Sequence, residues 1–254
     1  MTECPVGAVL AVAAELIVDD FGVTYVDVDG VEERGLLDVL WSVPFERVLP
    51  VRGFSSFKGQ RNFSGWWWLA TTGEHVGFES WLERDQLMML DFDRDVVAVS
   101  SQPFWLSWRD GARRRRHAPD YFARSADGSA LVMDVRPDDR IPSEDAEAFA
   151  VTAAACELVG WRYLRVGAVD AVFAANVRWL AGYRHRRFGV GERAELLRGV
   201  FATPRPLAEG VAVAGDGLAL LPVLFHLLWS GVLVTDAVVA PLGADSIICA
   251  AGVS

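Results

Sequence analysis

The sequence predicts an α/β protein with a mixed central sheet flanked by helices, followed by a small module of helices and a short hairpin. Strand-like segments rich in Val, Trp and Phe recur from Val96 onward. Between two of them, residues 143–159 carry Ala146, Phe149, Ala150, Ala153 and Ala154 on one helical face. Beyond Gly189 the pattern changes to helices followed by a short strand.

Residues 1–50 form an acidic N-terminal segment, with a hairpin expected around Asp29-Gly30 and residues 23–28 as one strand. Gly65-Trp66-Trp67-Trp68 reads as a strand packed on both faces, its tryptophans belonging to the core, and Thr72-Gly73 as a turn. Residues 79–90 fit a short helix packed on the sheet. Strands are expected near residues 96–108, 113–124 and 130–136, then the helix at 143–159 with Ser143 as N-cap. Residues 161–166 read as the next strand, and Asp170 caps a helix running to about Tyr183. These elements define a central domain over 51–188. In 189–254, two helices (192–201 and 218–229), a strand near Val232-Leu233-Val234 and the apolar Ser246-Ile247-Ile248-Cys249 suggest a winged-helix-like module with a protein-contact role.

The chain has 254 residues and 52% hydrophobic content, enough for a core domain and a small companion. Apolar segments are short or interrupted: 8–18 contains Glu15, and 218–234 contains His226, Pro222 and Gly231. Neither has the length of a membrane span. The first residues lack a basic stretch ahead of the apolar run, so a cytoplasmic protein with no membrane partner is expected. Cys4, Cys156 and Cys249 are widely spaced and odd in number, which suggests neither a disulfide framework nor a zinc cluster. Gly189-Val190-Gly191 lacks the Lys of a phosphate loop, no nucleophile elbow occurs, and His226 among Leu and Phe reads as a core histidine.

Chemistry is carried by Glu83 on the first predicted helix, Pro119-Asp120 in one strand and Asp134-Val135-Arg136 in the next. Carboxylate oxygens suit hard cations, and an adjacent guanidinium suits a phosphate. If the loop Ser125-Ala126-Asp127-Gly128-Ser129 is centred on Asp127, Asp120 lies directly opposite Asp134, a repulsive pair unless a cation sits between them. Alternation then puts Arg136 on the same face. A two-residue turn at Asp127-Gly128 would instead turn Asp134 to the other face, so register decides the reading. Glu79, four residues before Glu83, would share its helix face.

These motifs, together with Glu79-Ser80-Trp81-Leu82-Glu83, Asp91-Phe92-Asp93, Ser101-Gln102-Pro103-Phe104, the arginines 113–116 and His117-Ala118-Pro119-Asp120-Tyr121, resemble the TnsA-like endonuclease subunits of heteromeric transposases, within the PD-(D/E)xK nucleases. The resemblance spans roughly residues 52–187. It implies a restriction-endonuclease-like fold, with Glu83, Asp120 and Asp134 as magnesium or manganese ligands and Arg136 as the fourth catalytic group. Glu79 and Gln102 would support them. It also implies cleavage of DNA at the ends of a mobile element, alongside an integrase-like transposase subunit and an ATP-dependent regulator. A stand-alone repair or restriction nuclease, and a non-cutting scaffold, are the rival readings.

The family has Lys where this chain has Arg136, and Lys58 is the only lysine in the sequence. A guanidinium stays charged and cannot act as a base, so Arg136 would work electrostatically. The net charge of −10 opposes DNA binding, yet the residues before Arg52 contribute −8 of it. Arg113, Arg114, Arg115 and Arg116 admit two readings, phosphate contacts or a solvated strand edge, with two guanidiniums expected on each sheet face. A second basic group, Arg178, Arg184, His185, Arg186 and Arg187, admits DNA contact or capping of a helix C-terminus.

Overall fold

The structure, a computed structural model, describes residues 21–54, 63–139, 141–189, 191–215 and 217–252. Cys4, Lys58, Val190, the apolar run 8–18 and the acidic residues Glu3, Glu15, Asp19 and Asp20 lie outside them. The protein is mixed α/β with seven α-helices among the described residues, and no helix there is long and apolar enough to cross a membrane. The chain divides into two compact units, Met1–Gln86 with Asp95–Ala168, and Leu87–Arg94 with Val169–Ser254.

The first unit holds two four-stranded sheets. The first sheet consists of β1 (Gly22–Val26), β2 (Glu32–Leu36), β6 (Trp105–Asp110) and β7 (Arg113–His117), in the order β2-β1-β6-β7 and antiparallel throughout. The expected hairpin joins β1 to β2, and the Asp27 carboxylate accepts from the Asp29 and Val31 amides in its turn. β1 and β2, from the acidic segment before Pro50, thus share a sheet with β6 and β7. The short helix α1 (Leu37–Leu40) and a 3-10 turn at Phe45–Arg47 follow.

The second sheet has the order β10-β9-β8-β5, from β5 (Val96–Ser101), β8 (Tyr121–Ser125), β9 (Ala130–Val135) and β10 (Arg162–Val166). β9 is antiparallel to β8 and parallel to β10, with helix α3 (Ser143–Leu158) as the crossover. α3 begins at Ser143 as expected, but Pro142 holds the N-cap position and no side chain caps it. Every residue of β9 is buried, as a strand covered on both faces requires.

Two strands expected to be continuous are broken. Residues 96–108 split into β5 and β6, and 113–124 into β7 and β8, each half in a different sheet. Both breaks contain a proline, Pro103 and Pro119, which cannot donate a ladder hydrogen bond. They lie side by side: Ser101 pairs with Tyr121 in one sheet, Leu106 with His117 in the other, and the Gln102 amide donates to the Asp120 carbonyl at 2.9 Å between them. The two sheets close on one core, in which the Phe45 ring meets Tyr25, Phe104, Phe122 and Trp161 at centroid distances of 5.4, 4.9, 5.7 and 5.7 Å. The Trp triplet lies elsewhere. β3 (Gly65–Trp68) pairs with β4 (His75–Phe78) as a two-stranded hairpin, and Trp66 is 58% exposed, so the expectation of a strand buried on both faces does not hold.

Helix α2 (Trp81–Phe92) starts two residues later than expected, leaving Glu79 ahead of it. The second unit takes the end of α2 with α4 (Ala171–Ala181), capped by Asp170 through the Val172 and Phe173 amides as foreseen. α5 (Glu192–Val200), β11 (Arg205–Pro206), α6 (Leu207–Ala214), α7 (Gly217–Trp229), β12 (Leu233–Val234) and β13 (Ile247–Ala250) complete it, with strand order β11-β13-β12. α6 and β11 were not foreseen, because Gly210, Val211 and Val213 give the segment little helical signal. His226 completes a hydrogen bond of 2.8 Å between Nδ1 and the Tyr183 carbonyl, and Arg184 caps the end of α4 through the Ala181 carbonyl.

Candidate functional site

The β8–β9 hairpin has the register centred on Asp127: Tyr121 pairs with Met133 and Arg124 with Ala130, with Gly128 taking φ +87° in the turn. Continued by one rung beyond Tyr121, this register brings Asp120, at the corner between the sheets, opposite Asp134. The Asp120 Oδ2 accepts the Val135 amide at 2.7 Å, which fixes the carboxylate against the end of β9. α2 brings Glu83 to the same place. Glu79, Glu83, Asp120, Asp134 and Arg136 all line one cleft of about 340 Å³, together with Arg52, Trp105, Arg116, His117 and Phe149.

Three carboxylates converge there, and the electrostatics show it. Burial, then the charges of Asp134 and Glu83, push the Asp120 carboxyl well above its ordinary range against the opposing Val135 hydrogen bond and Arg136. Glu83 is also raised, first by burial and then by Glu79, while its hydrogen bonds and Arg52 pull it down. Cations stand around the rim. Arg52 pairs with Glu79 at 2.8 Å, and Arg136 pairs with Asp145 of α3 at 3.0 Å. The Arg136 guanidinium is about half exposed, so it is reachable by a ligand in the cleft.

Each carboxylate also has a local partner. Ser80 and Glu83 form a capping box at the start of α2: the Glu83 amide donates to Ser80 Oγ at 3.1 Å, and the Glu83 carboxylate accepts the Glu79 amide at 2.7 Å and the Ser80 hydroxyl at 2.9 Å. Asp134, 1% exposed, bonds His117 Nε2 through Oδ1 at 2.8 Å and accepts the Tyr163 hydroxyl on Oδ2 at 2.7 Å. Burial and then Asp134 raise Tyr163, which keeps it a phenol donor. His117, Tyr163, Arg52 and Asp145 were not singled out as site residues in the sequence. For His117 the signal was present, since it sits in the motif leading to Pro119-Asp120. For Tyr163 it needed the β9–β10 pairing, which sets Tyr163 beside Val132 and Arg165 beside Asp134.

Gln102 contacts Asp120 through its backbone. Its amide holds Asp120 and its carbonyl accepts the Val51 amide at 2.9 Å, while the buried side-chain Oε1 has no hydrogen-bond partner and φ is +47°. Of the four arginines in β7, only Arg116 lines the cleft. Arg115 turns inward to Glu147 at 2.8 Å and Asp110 at 3.6 Å, so it is held in ion pairs and is not free for a phosphate.

An all-oxygen, electron-rich donor set of this kind suits a hard divalent cation. Asp120 fits best, because its neighbours leave it short of positive charge. Glu83 and Asp134 would share in holding the ion only by giving lone pairs beyond those used with Ser80, His117 and Tyr163. Among the described residues, no group of three His, Cys, Asp or Glu side chains is already gathered as metal ligands. No protein-family model matches the chain, and no curated protein matches it.

Proposed function

We propose that the chain is a metal-dependent DNA endonuclease with a restriction-endonuclease-like core, acting as the end-cleaving subunit of a heteromeric transposase. The observation that carries the reading is the convergence of Glu83, Asp120, Asp134 and Arg136 in one cleft, from a helix and two adjacent strands in the Asp127-centred register. The strand order β10-β9-β8-β5, mixed and crossed by α3, supports the core assignment. In the second unit, the order α5, β11, α6, α7, β12, β13 supports a winged-helix-like module, whose few basic residues fit a protein-contact role better than DNA reading.

Magnesium or manganese, when bound, supplies positive charge at the scissile phosphate and acidifies a water for attack. Asp120 would hold the ion with Glu83 and Asp134, and the chain's own groups do the rest. Arg136 and Arg52 flank the cleft with positive charge that stabilises the pentavalent phosphate. Arg136 is paired with Asp145 at 3.0 Å, a contact that a phosphate in the cleft would have to share or displace. Arg136 cannot take the proton of the water, which separates its role from that of a lysine. The integrase-like subunit and the ATP-dependent regulator enter as partners on the strength of the motif resemblance.

The scaffold reading has one specific observation in its favour. Both oxygens of Asp134 are satisfied by protein donors, as in a structural carboxylate. Cleavage of supercoiled plasmid with manganese separates the readings. An endonuclease nicks or linearises DNA, and Asp120→Asn, Asp134→Asn and Arg136→Ala each lower the rate by about a hundredfold or more. A scaffold leaves the plasmid intact under every condition, including with the partner subunit added.

A further inference from the structure

One face of the first sheet packs into the core through Val23, Leu106 and Trp108, and the opposite face is open among the described residues. The register places four arginines on that open face. Arg34 lies in the row with Thr24 and Trp105, Arg116 in the row with Leu36, Gly22 and Ser107, and Arg114 opposite Arg109. The floor between them is small. A Cβ at Gly22 would sit 2.7 Å from Ser107 Oγ, so a side chain there would fill the hollow. Arg114 reaches Ser107 Oγ at 3.4 Å and Arg116 stacks over the Trp105 ring at 4.1 Å. Neither these two nor Arg109 pairs with a carboxylate among the described residues. Glu32, bonded to Arg34, is the one acid among the described residues lining this face.

The hollows join. One of about 390 Å³, lined by Arg109, Arg113 and Arg114, shares Gly22, Leu36, Ser107 and Arg114 with a second of about 630 Å³ lined by Arg34 and Arg116. The second shares Trp105 and Arg116 with the carboxylate cleft. A charged edge strand alone would explain Arg113 to Arg116 as protection against aggregation. It does not explain Arg109, on the inner strand β6, adding to a trough that also takes Arg34 from the opposite edge strand β2. In a chain of net charge −10, guanidiniums gathered along a path to a cleft, three of them without a carboxylate partner among the described residues, favour an anionic, extended occupant.

We infer that the open face of the first sheet is a phosphate-backbone track that carries a DNA strand from Arg109 and Arg114, past Arg34 and Arg116, to the carboxylate cleft. The choice of DNA over an acidic polypeptide rests on reading the cleft as a phosphodiester site. Contacts are to the backbone, so the track holds DNA without regard to sequence. Arg115 also lines the larger hollow, but Glu147 and Asp110 hold its guanidinium in ion pairs.

Fluorescence anisotropy of the full chain with labelled 20-nucleotide single-stranded and 20-base-pair DNA of arbitrary sequence, in EDTA, reads this directly. Arg109→Ala/Arg114→Ala should weaken binding roughly tenfold and flatten the log–log salt dependence by about 1.8 for the duplex and about 1.4 for the single strand, with Arg109→Lys/Arg114→Lys restoring most of both. Arg47→Ala/Arg162→Ala removes the same charge outside the trough and should leave binding within about twofold. Equal losses in both pairs, no loss in the trough pair, or no DNA binding by the wild type would overturn the inference. So would labelled poly-glutamate that binds more tightly than DNA and depends on the same arginines. Manganese binding, measured without DNA, judges the cleft separately: metal binding with trough-independent DNA binding sinks the track alone, and trough-dependent binding without metal sinks the nuclease reading alone.

Discussion

Burial and the charges of Asp134 and Glu83 raise the Asp120 carboxyl in the folded protein, which makes Asp120 a source of pH-dependent stability. A raised folded-state value means that the native protein binds its proton more tightly than the unfolded chain does. Its stabilisation is fully present below the unfolded value and is lost as pH rises through the folded one. Asp120→Asn keeps an acceptor for the Val135 amide and removes the charge. The metal-free variant should therefore melt higher than wild type at neutral pH, by about 2–4 °C for each kcal/mol relieved, and lose the difference in acid. Thermal melts at pH 4 and pH 8 check this, and a variant that melts lower at pH 8 contradicts it. At Asp134, Tyr163→Phe removes a charge-assisted hydrogen bond and should cost about 1.5–3 kcal/mol in denaturant unfolding. It also releases Asp134 Oδ2. If that oxygen serves a cation, manganese affinity rises as stability falls, a combination that a purely structural carboxylate does not produce.

At the scale of elements, the capping box gives Glu83 a local task that needs no cation. Glu83→Gln retains an acceptor for the Glu79 amide and should stay within about 1 kcal/mol of wild type, while Glu83→Ala loses the cap and about 1 kcal/mol more. Metal binding should fail in both. The corner at Gln102–Pro103 and Pro119–Asp120 is the second element-level device, since it puts Asp120 at the junction of two sheets rather than inside a strand. Phe45→Ala, in the aromatic cluster joining those sheets, should cost about 3–5 kcal/mol and abolish function by unfolding, which near-ultraviolet circular dichroism would register. Most elements were legible from periodicity. Asp170 as a cap was legible from a single residue, and the hairpin at 125–129 was legible as a turn, while its Asp127-centred register was one of two that the sequence left open. The sheet switch was not legible, because residues 96–108 and 113–124 were each read as one strand straight through Pro103 and Pro119, where the chain changes partners. The prolines carried the signal, since they cannot donate to a ladder. The capping box was written in Ser80-Trp81-Leu82-Glu83, but the same letters read equally well as a metal motif.

For the whole molecule, the charge that seemed to oppose DNA is organised by the fold. Glu46 is held by Arg124 at 3.1 Å and Glu32 by Arg34, so part of the acidic N-terminal stretch is internally compensated. The arginines of β7, one block in the sequence, are sorted by strand alternation into a structural pair at Arg115 and an open basic face at Arg114 and Arg116. That sorting was predictable in kind, two guanidiniums to each face, though which face was open depended on pairing with β6 and on the approach of Glu147 from α3. Calorimetric titration of manganese into the protein tests whether Glu83, Asp120 and Asp134 form a cation site. Saturable heat at one or two sites, lost in Asp120→Asn and in Glu83→Gln while both variants stay folded, is the expected result. Heat that survives both substitutions, or none in wild type even with a DNA oligonucleotide present, would contradict it.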